Sequence, residues 1–243
     1  MHKGWVEVKK LLKGIAYCES TETMCLGSEL PEELGKIYDF AKNSAAVGHK
    51  FALILRDAGF GINDCEQVFI NFTPALAEGV YEVSDRRLQR WQCYVNYGLD
   101  PGKLKEIPTK EHAIFLTAAT EKVLSECFAQ NEAEKKMIHE AAQSIVMYGE
   151  KLEIDYLLKR DKNFDAAVGF NLLNDGTCRI ILTVKDLEGH VLQKREIAHA
   201  ESYEDALDHA GTILVRKNRV VVKPKNNLHT KNVQPLEVIL GEE

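Results

Sequence analysis

Arg86, Arg87 and Arg90 stand within a few positions of Trp91, Tyr94 and Tyr97. Guanidinium groups beside aromatic faces can stack on bases, anchor a protein interface, or simply frame a half-buried aromatic seam. A second cluster is acidic. Glu201, Glu204, Asp205 and Asp208 fall at i, i+3, i+4 and i+7, so a helix over about 201–210 would carry them as one stripe, with Ala206, Leu207 and Ala210 facing away. Like charges at these spacings repel by roughly 0.3 kcal/mol per pair. A basic partner turns that cost into attraction and faster encounter, whereas the plain alternative is a solvated face. The candidate partner-binding residues are therefore Glu201, Glu204, Asp205, Asp208, Arg86, Arg87, Arg90, Trp91 and Tyr94.

Covalent and metal chemistry find less support in the spacing. Gly59-Phe60-Gly61 follows an apolar run, where a phosphate loop would begin. It lacks the third glycine and following helix of a dinucleotide fingerprint and the Gly-Lys-Ser/Thr ending of a P-loop, and reads as a hairpin turn. The eight histidines form no HExxH or HxH pair; the nearest grouping sets His199 by Glu201 and His209 by Asp208, on either side of the predicted helix. No G-x-S-x-G elbow occurs. No catalytic residue is assigned, and neither a metal nor a cofactor is expected. The cysteines, Cys18, Cys25, Cys65, Cys93, Cys127 and Cys178, lack CxxC spacing and read as reduced, mostly buried thiols.

The elements that must position these residues differ along the chain. Residues 5–13 suggest a short amphipathic helix, and Ser28 with Pro31 predicts a helix through Leu34, Ile37, Tyr38 and Ala41 that ends near Gly48. FALILR (51–56) and QVFINF (67–72) read as two strands of a hairpin. Residues 81–98 fit an edge strand, a short helix, or both in succession. Residues 109–149 predict an antiparallel helix pair, with apolar stripes through Phe115, Leu116, Ala119 and Val123 and through Ile138, Ala141, Ala142 and Ile145. From 152 on, alternating segments punctuated by Asn174-Asp175-Gly176 and Glu188-Gly189 predict an antiparallel meander with one helix. The expected fold is thus α+β: a helix-rich N-terminal part (1–150) with a β-hairpin at 51–72, followed by a C-terminal antiparallel β-sheet (151–243). The change of character near 150 is either a domain boundary or a layer change within one fold.

Bulk composition narrows the partners. An apolar fraction of 45% and a charged fraction of 28% are those of a folded chain. The net charge is −6, and most of it lies in residues 1–150, where 17 Lys and Arg face 22 Asp and Glu. A duplex-binding protein needs a basic excess to replace phosphate counterions, so nucleic acid is a poor default partner. No window reaches the ~18 apolar residues of a membrane helix, and the N-terminal stretch has no signal-peptide core. A cytoplasmic location with no membrane partner is expected.

The order of a hydrophobic strand FALILRD, a glycine loop, the strand VFINFTPAL, a helical middle and a terminal TILVRKNRVVVKPKN hairpin resembles bacterial immunity proteins of polymorphic-toxin or contact-dependent inhibition systems. The likeness covers most of the chain as a plan and transfers no site residue. It implies an acidic, non-catalytic protein that neutralises a toxin domain by stoichiometric binding, with a basic toxin domain as the partner of the acidic stripe. The alternatives are a small-molecule-binding protein or enzyme whose pocket is assembled from distant residues, with the 57–64 loop as its place, and an adaptor that uses Arg86–Tyr97 to hold an oligomer.

Overall fold

The run FALILR is helical, not extended. It forms the second half of a 14-residue helix in which Phe51, Ala52, Leu53 and Leu55 are all buried. A short apolar run buried all round has no periodicity to separate helix from strand. The end of this helix was nonetheless written in the sequence. Gly59 takes φ +78°, the Gly59 N–H donates to the Arg56 carbonyl and the Phe60 N–H to the Leu55 carbonyl, and Phe60 is buried. That is a Schellman helix end, so Gly59-Phe60-Gly61 is a helix stop and not a hairpin turn.

The structure, a computed structural model, describes residues 9–41, 44–216 and 218–240. The chain divides into two units, Met1–Gly149 and Glu150–Glu243. Among the described residues it is α+β with five α-helices and four sheets, and no helix is long and apolar enough to cross a membrane.

In the first unit, β1 (Lys10–Leu11), β2 (Gly14–Glu19) and β3 (Glu32–Glu33) precede α1 (Ser44–Asp57). Next come β4 (Gly61–Ile62), β5 (Gln67–Thr73), β6 (Tyr81–Val83) and β7 (Gln92–Gly98). α2 (Pro101–Glu106), α3 (His112–Cys127) and α4 (Glu132–Tyr148) follow. The expected helix-rich part with a hairpin is overturned: its centre is a five-stranded sheet in the order β3-β2-β5-β7-β6. β2, β5 and β7 are parallel, and β3 and β6 are antiparallel edges. The helix expected from Pro31 is replaced by β3 and a turn, and the N–H groups of residues 35–38 go to Glu19 instead of a helix ladder. The helix expected over 5–13 lies partly outside the described residues, and β1 within it pairs with β4.

Gly48, expected to end a helix, lies inside α1. A Cβ there would stand 2.3 Å from the Ile15 carbonyl oxygen, so its absence lets α1 settle onto β2. One sheet face meets the helices: the Tyr17 hydroxyl bonds Thr120 Oγ1 of α3 at 2.8 Å, and Tyr38, Phe40, Phe72, Tyr97 and Phe115 form an aromatic cluster around it. His112 closes this cluster edge-on to Phe40. Its Nδ1 accepts the Ala41 N–H, which leaves Nε2 to donate to the Ile107 carbonyl.

The second unit holds β8 (Glu153–Arg160), β9 (Asp165–Leu172), β10 (Cys178–Lys185), β11 (Val191–Ala200), α5 (Tyr203–His209), β12 (Thr212–Arg216), β13 (Arg219–Lys223) and β14 (Leu236–Ile239). The strands make two antiparallel sheets rather than one, β11-β10-β9-β8 and β12-β13-β14. Tight turns join the first four strands, with Gly176 and Gly189 both at φ +91°. Val168, Phe170, Ile180, Leu182 and Val184 are buried along β9 and β10, and Phe170 stacks on Tyr156.

Candidate interaction surface

The parallel register sorts side chains onto two faces. Opposite the helices, Cys18, Asn71 and Asn96 align across β2, β5 and β7, and Phe69 stacks on Tyr94 with ring centroids 4.8 Å apart. The loop after β2 crosses this face instead of a helix. Asn71 Nδ2 donates to Ser20 Oγ at 2.8 Å and to Asn96 Oδ1 at 2.9 Å. Asn96 in turn accepts the Met24 N–H at 2.8 Å, donates to the Met24 carbonyl at 3.0 Å, and donates to Glu82 of β6 at 3.2 Å. Both asparagines are fully buried, so this closed network fixes the loop's path, because a buried amide left unpaired would cost about 1–3 kcal/mol.

Glu19, at the end of β2, is buried at 1% exposure and lies under the other end of the loop. Its Oε1 accepts the N–H groups of Lys36 at 2.7 Å and Ile37 at 2.9 Å. Its Oε2 accepts those of Gly35 at 3.2 Å and Tyr38 at 3.0 Å. Four convergent amides form an anion nest, which this chain fills with its own carboxylate. Above that floor lies a cleft of about 700 Å³, whose rim carries Glu22, Glu29 and Glu32, with Lys36 paired to Glu32.

The same loop is fastened to the arginine-rich segment. The Leu26 N–H donates to Asp85 Oδ1 at 2.8 Å and Arg86 Nη1 donates to Ser28 Oγ at 3.1 Å. Residues 24–30 and 81–91 therefore form one surface, and it exposes large apolar side chains: Leu26 is 77% exposed, Leu88 50% and Trp91 37%.

No family model, curated protein or solved structure gives a significant match to this chain.

The sequence candidates separate on the structure. Tyr94 is buried against Phe69, whereas Trp91, Arg87 and Arg90 are exposed in the irregular segment before β7 and Arg86 is half-buried there. Arg87 makes a two-oxygen contact with Asp64 at 2.7 and 2.8 Å, and its guanidinium holds the Asp64 carboxyl below its ordinary range. The acidic stripe does not form. Ser202 caps α5 by accepting the Asp205 N–H, so Glu201 precedes the helix, and Asp205 Oδ2 turns back to accept the Glu201 N–H. Asp208 accepts from Asn227 at 3.0 Å. Glu204 sits in the first turn, where a carboxylate favours the helix dipole. These four acids are spent largely on ending and anchoring a seven-residue helix.

Sequence reasoning missed Glu19, Asn71 and Asn96. A lone Glu at a strand end and two Asn within apolar strands are the only local signs; their alignment depends on long-range pairing. It also passed over Asp186, Glu188 and His190, whose ligand-type atoms lie within 4.8 Å of one another. That grouping is the bonding of the β10–β11 turn, in which Asp186 accepts from the His190 ring at 2.9 Å and from the Glu188 and His190 N–H groups. The thiol expectation also changes: Cys65 and Cys93 are disulfide-bonded.

Proposed function

We propose that this chain is a non-catalytic binding protein that recognises a protein partner through the joined 24–30 and 81–91 surface, in the manner of an immunity protein that neutralises a toxin domain. The single observation that carries the reading is the joining itself. Leu26, Leu88 and Trp91 stand exposed on two loops joined through Asp85 and Arg86, and the first of these loops also lines the acidic cleft. Exposed apolar side chains with charged neighbours, on two loops tied together by hydrogen bonds, have the make-up of an interface hot spot. Glu22, Glu29 and Glu32 suit a partner with cationic side chains, as on a basic toxin domain. A cytoplasmic site of action belongs to this reading.

Co-expression with the product of the neighbouring reading frame, followed by affinity purification, is expected to yield a one-to-one complex. Trp91→Ala and Leu88→Asp should each weaken it by about 30-fold while leaving the fold intact. No complex, or a complex indifferent to both substitutions, sinks the reading. A second reading rests on the cleft's place beside the carboxyl end of β2, where open α/β sheets hold ligands. It expects a thermal shift of several degrees with a small cationic or polyhydroxylated ligand, abolished by Glu32→Lys. The 57–64 stretch is not a hairpin loop, since it ends α1 and leads through β4.

A further inference from the structure

We propose that Cys65 and Cys93 are a redox-responsive latch, exchanging with low-molecular-weight disulfides of the glutathione type, that holds the 84–91 segment in its closed arrangement. The two cysteines are bonded at a Cα separation of 6.0 Å across a sequence separation of 28. The closed loop contains β5, β6 and the whole 84–91 segment. Cys65 lies just before β5 and Cys93 is the second residue of β7, so the bond clamps the amino ends of two parallel strands where that segment arrives.

Weaker ties converge on the same place. The Glu66 and Gln67 N–H groups donate to the Trp91 carbonyl at 2.8 and 3.1 Å, and Arg87 reaches Asp64, the neighbour of Cys65. Asp85 and Arg86 also tie the segment to the loop after β2; it is otherwise irregular and largely exposed. The disulfide is the only covalent tie among these contacts, and both of its cysteines are buried. Because both cysteines are buried, a reducing thiol reaches the sulfurs only after a local opening, so opening and reduction are linked. Whatever the bond contributes to the closed segment, the closed segment contributes to the bond. Of the free cysteines, Cys25 is exposed and lies outside the loop that the bond closes, and the other three do not compete. Burial pushes the Cys18 and Cys178 thiols up to about 12 and Cys127 up to about 11, which keeps them protonated and unreactive.

In the oxidising direction, one thiolate of the pair attacks glutathione disulfide and displaces one glutathione thiolate. The other thiolate then attacks the resulting mixed disulfide and displaces the second. Two electrons pass to the glutathione disulfide, and the two protons lost by the cysteines go to solvent or to the released thiolates. The latch does not depend on the proposed partner, but its consequence, that reduction disorders the Trp91 surface and weakens binding, rests on that reading.

The test uses the full chain equilibrated in glutathione buffers of graded ratio, with its oxidation state read by alkylation and intact mass, and then cut by trypsin under native conditions. Cleavage after Arg86, Arg87 and Arg90 is expected to be on the order of tenfold faster in the reduced form, with rates at other sites unchanged. The Cys65→Ser/Cys93→Ser double variant should cut fast there in every buffer; if it does not fold, the reduced and alkylated wild-type chain takes its place. Equal rates in both redox states, or acceleration everywhere at once, overturns the latch, the latter by showing a global staple. Local opening on reduction with unchanged partner affinity leaves the latch standing and overturns the interface reading.

Discussion

In the first unit, side chains that touch across the sheet come from far apart in the chain: Cys18, Asn71 and Asn96 share one face through parallel pairing. In the second, β8 to β11 are consecutive antiparallel strands, each joined to the next by a tight turn. The difference extends to polar groups. The first unit buries Glu19, Asn71, Asn96 and His112: loop backbone satisfies Glu19, Asn96 and His112, and the side chains of Ser20 and Asn96 satisfy Asn71. In the second, Asp175 and Asp186 sit in the turns, where they accept nearby backbone N–H groups. A sheet held by distant pairings must close long loops before its contacts form, whereas a meander builds from local ones.

Four measurements test that contrast, the largest effect first. Glu19→Ala strips the acceptor from four amides in a buried site and should cost about 3–5 kcal/mol in urea unfolding, with Glu19→Gln losing about half as much. A loss under ~1 kcal/mol would mean that the 35–38 turn does not depend on the carboxylate. Gly48→Ala should cost about 2–3 kcal/mol even though alanine is the better helix former, because its Cβ meets the Ile15 carbonyl of β2. An unchanged or raised melting temperature would show that α1 can shift to admit it. In the second unit, Gly176→Ala meets no neighbour and faces only the cost of φ +91°, so about 1 kcal/mol is expected. A loss as large as that for Glu19→Ala would erase the contrast between the units.

The smallest effect is the response to acid. The hydrogen bond from the His190 ring, helped by backbone N–H groups, holds the Asp186 carboxyl below its ordinary 3.8, and the Thr177 bonds do the same for Asp175. A carboxyl lowered on folding contributes stability above its unfolded pKa and loses it as pH falls through the folded value. Amide protection in the β10–β11 hairpin, taken relative to the intrinsic exchange rate at each pH, should therefore fall below about pH 4, and less steeply in Asp186→Asn. Equal slopes in the two proteins would show that the His190 contact does not form in solution.

The helices and hairpins were legible where burial is one-sided. α3 and α4 keep apolar positions at 3- and 4-residue steps because each has an exposed flank. In the second unit the glycine-marked turns at Gly176 and Gly189 bound β10, whereas β9 is buried almost throughout. α1 was not legible because a helix buried on nearly every side has no polar stripe, and FALILR is as apolar as a covered strand. Its Gly59-Phe60 ending was a readable local sign. The acidic stripe failed for another local reason: Ser202 offers a better cap than any residue before it, and so cuts Glu201 off the helix.

The sequence by itself determined what arises between near neighbours: the helix pair, the turns of the meander and the acidic balance of residues 1–150. Only the tertiary structure decided which distant groups meet. It brought Asn71 to Asn96, turned four amides onto Glu19, bonded Cys65 to Cys93 and laid the loop after β2 across to Asp85 and Arg86. Parallel strands are paired through long connections, and no spacing along the chain records which residues end up side by side.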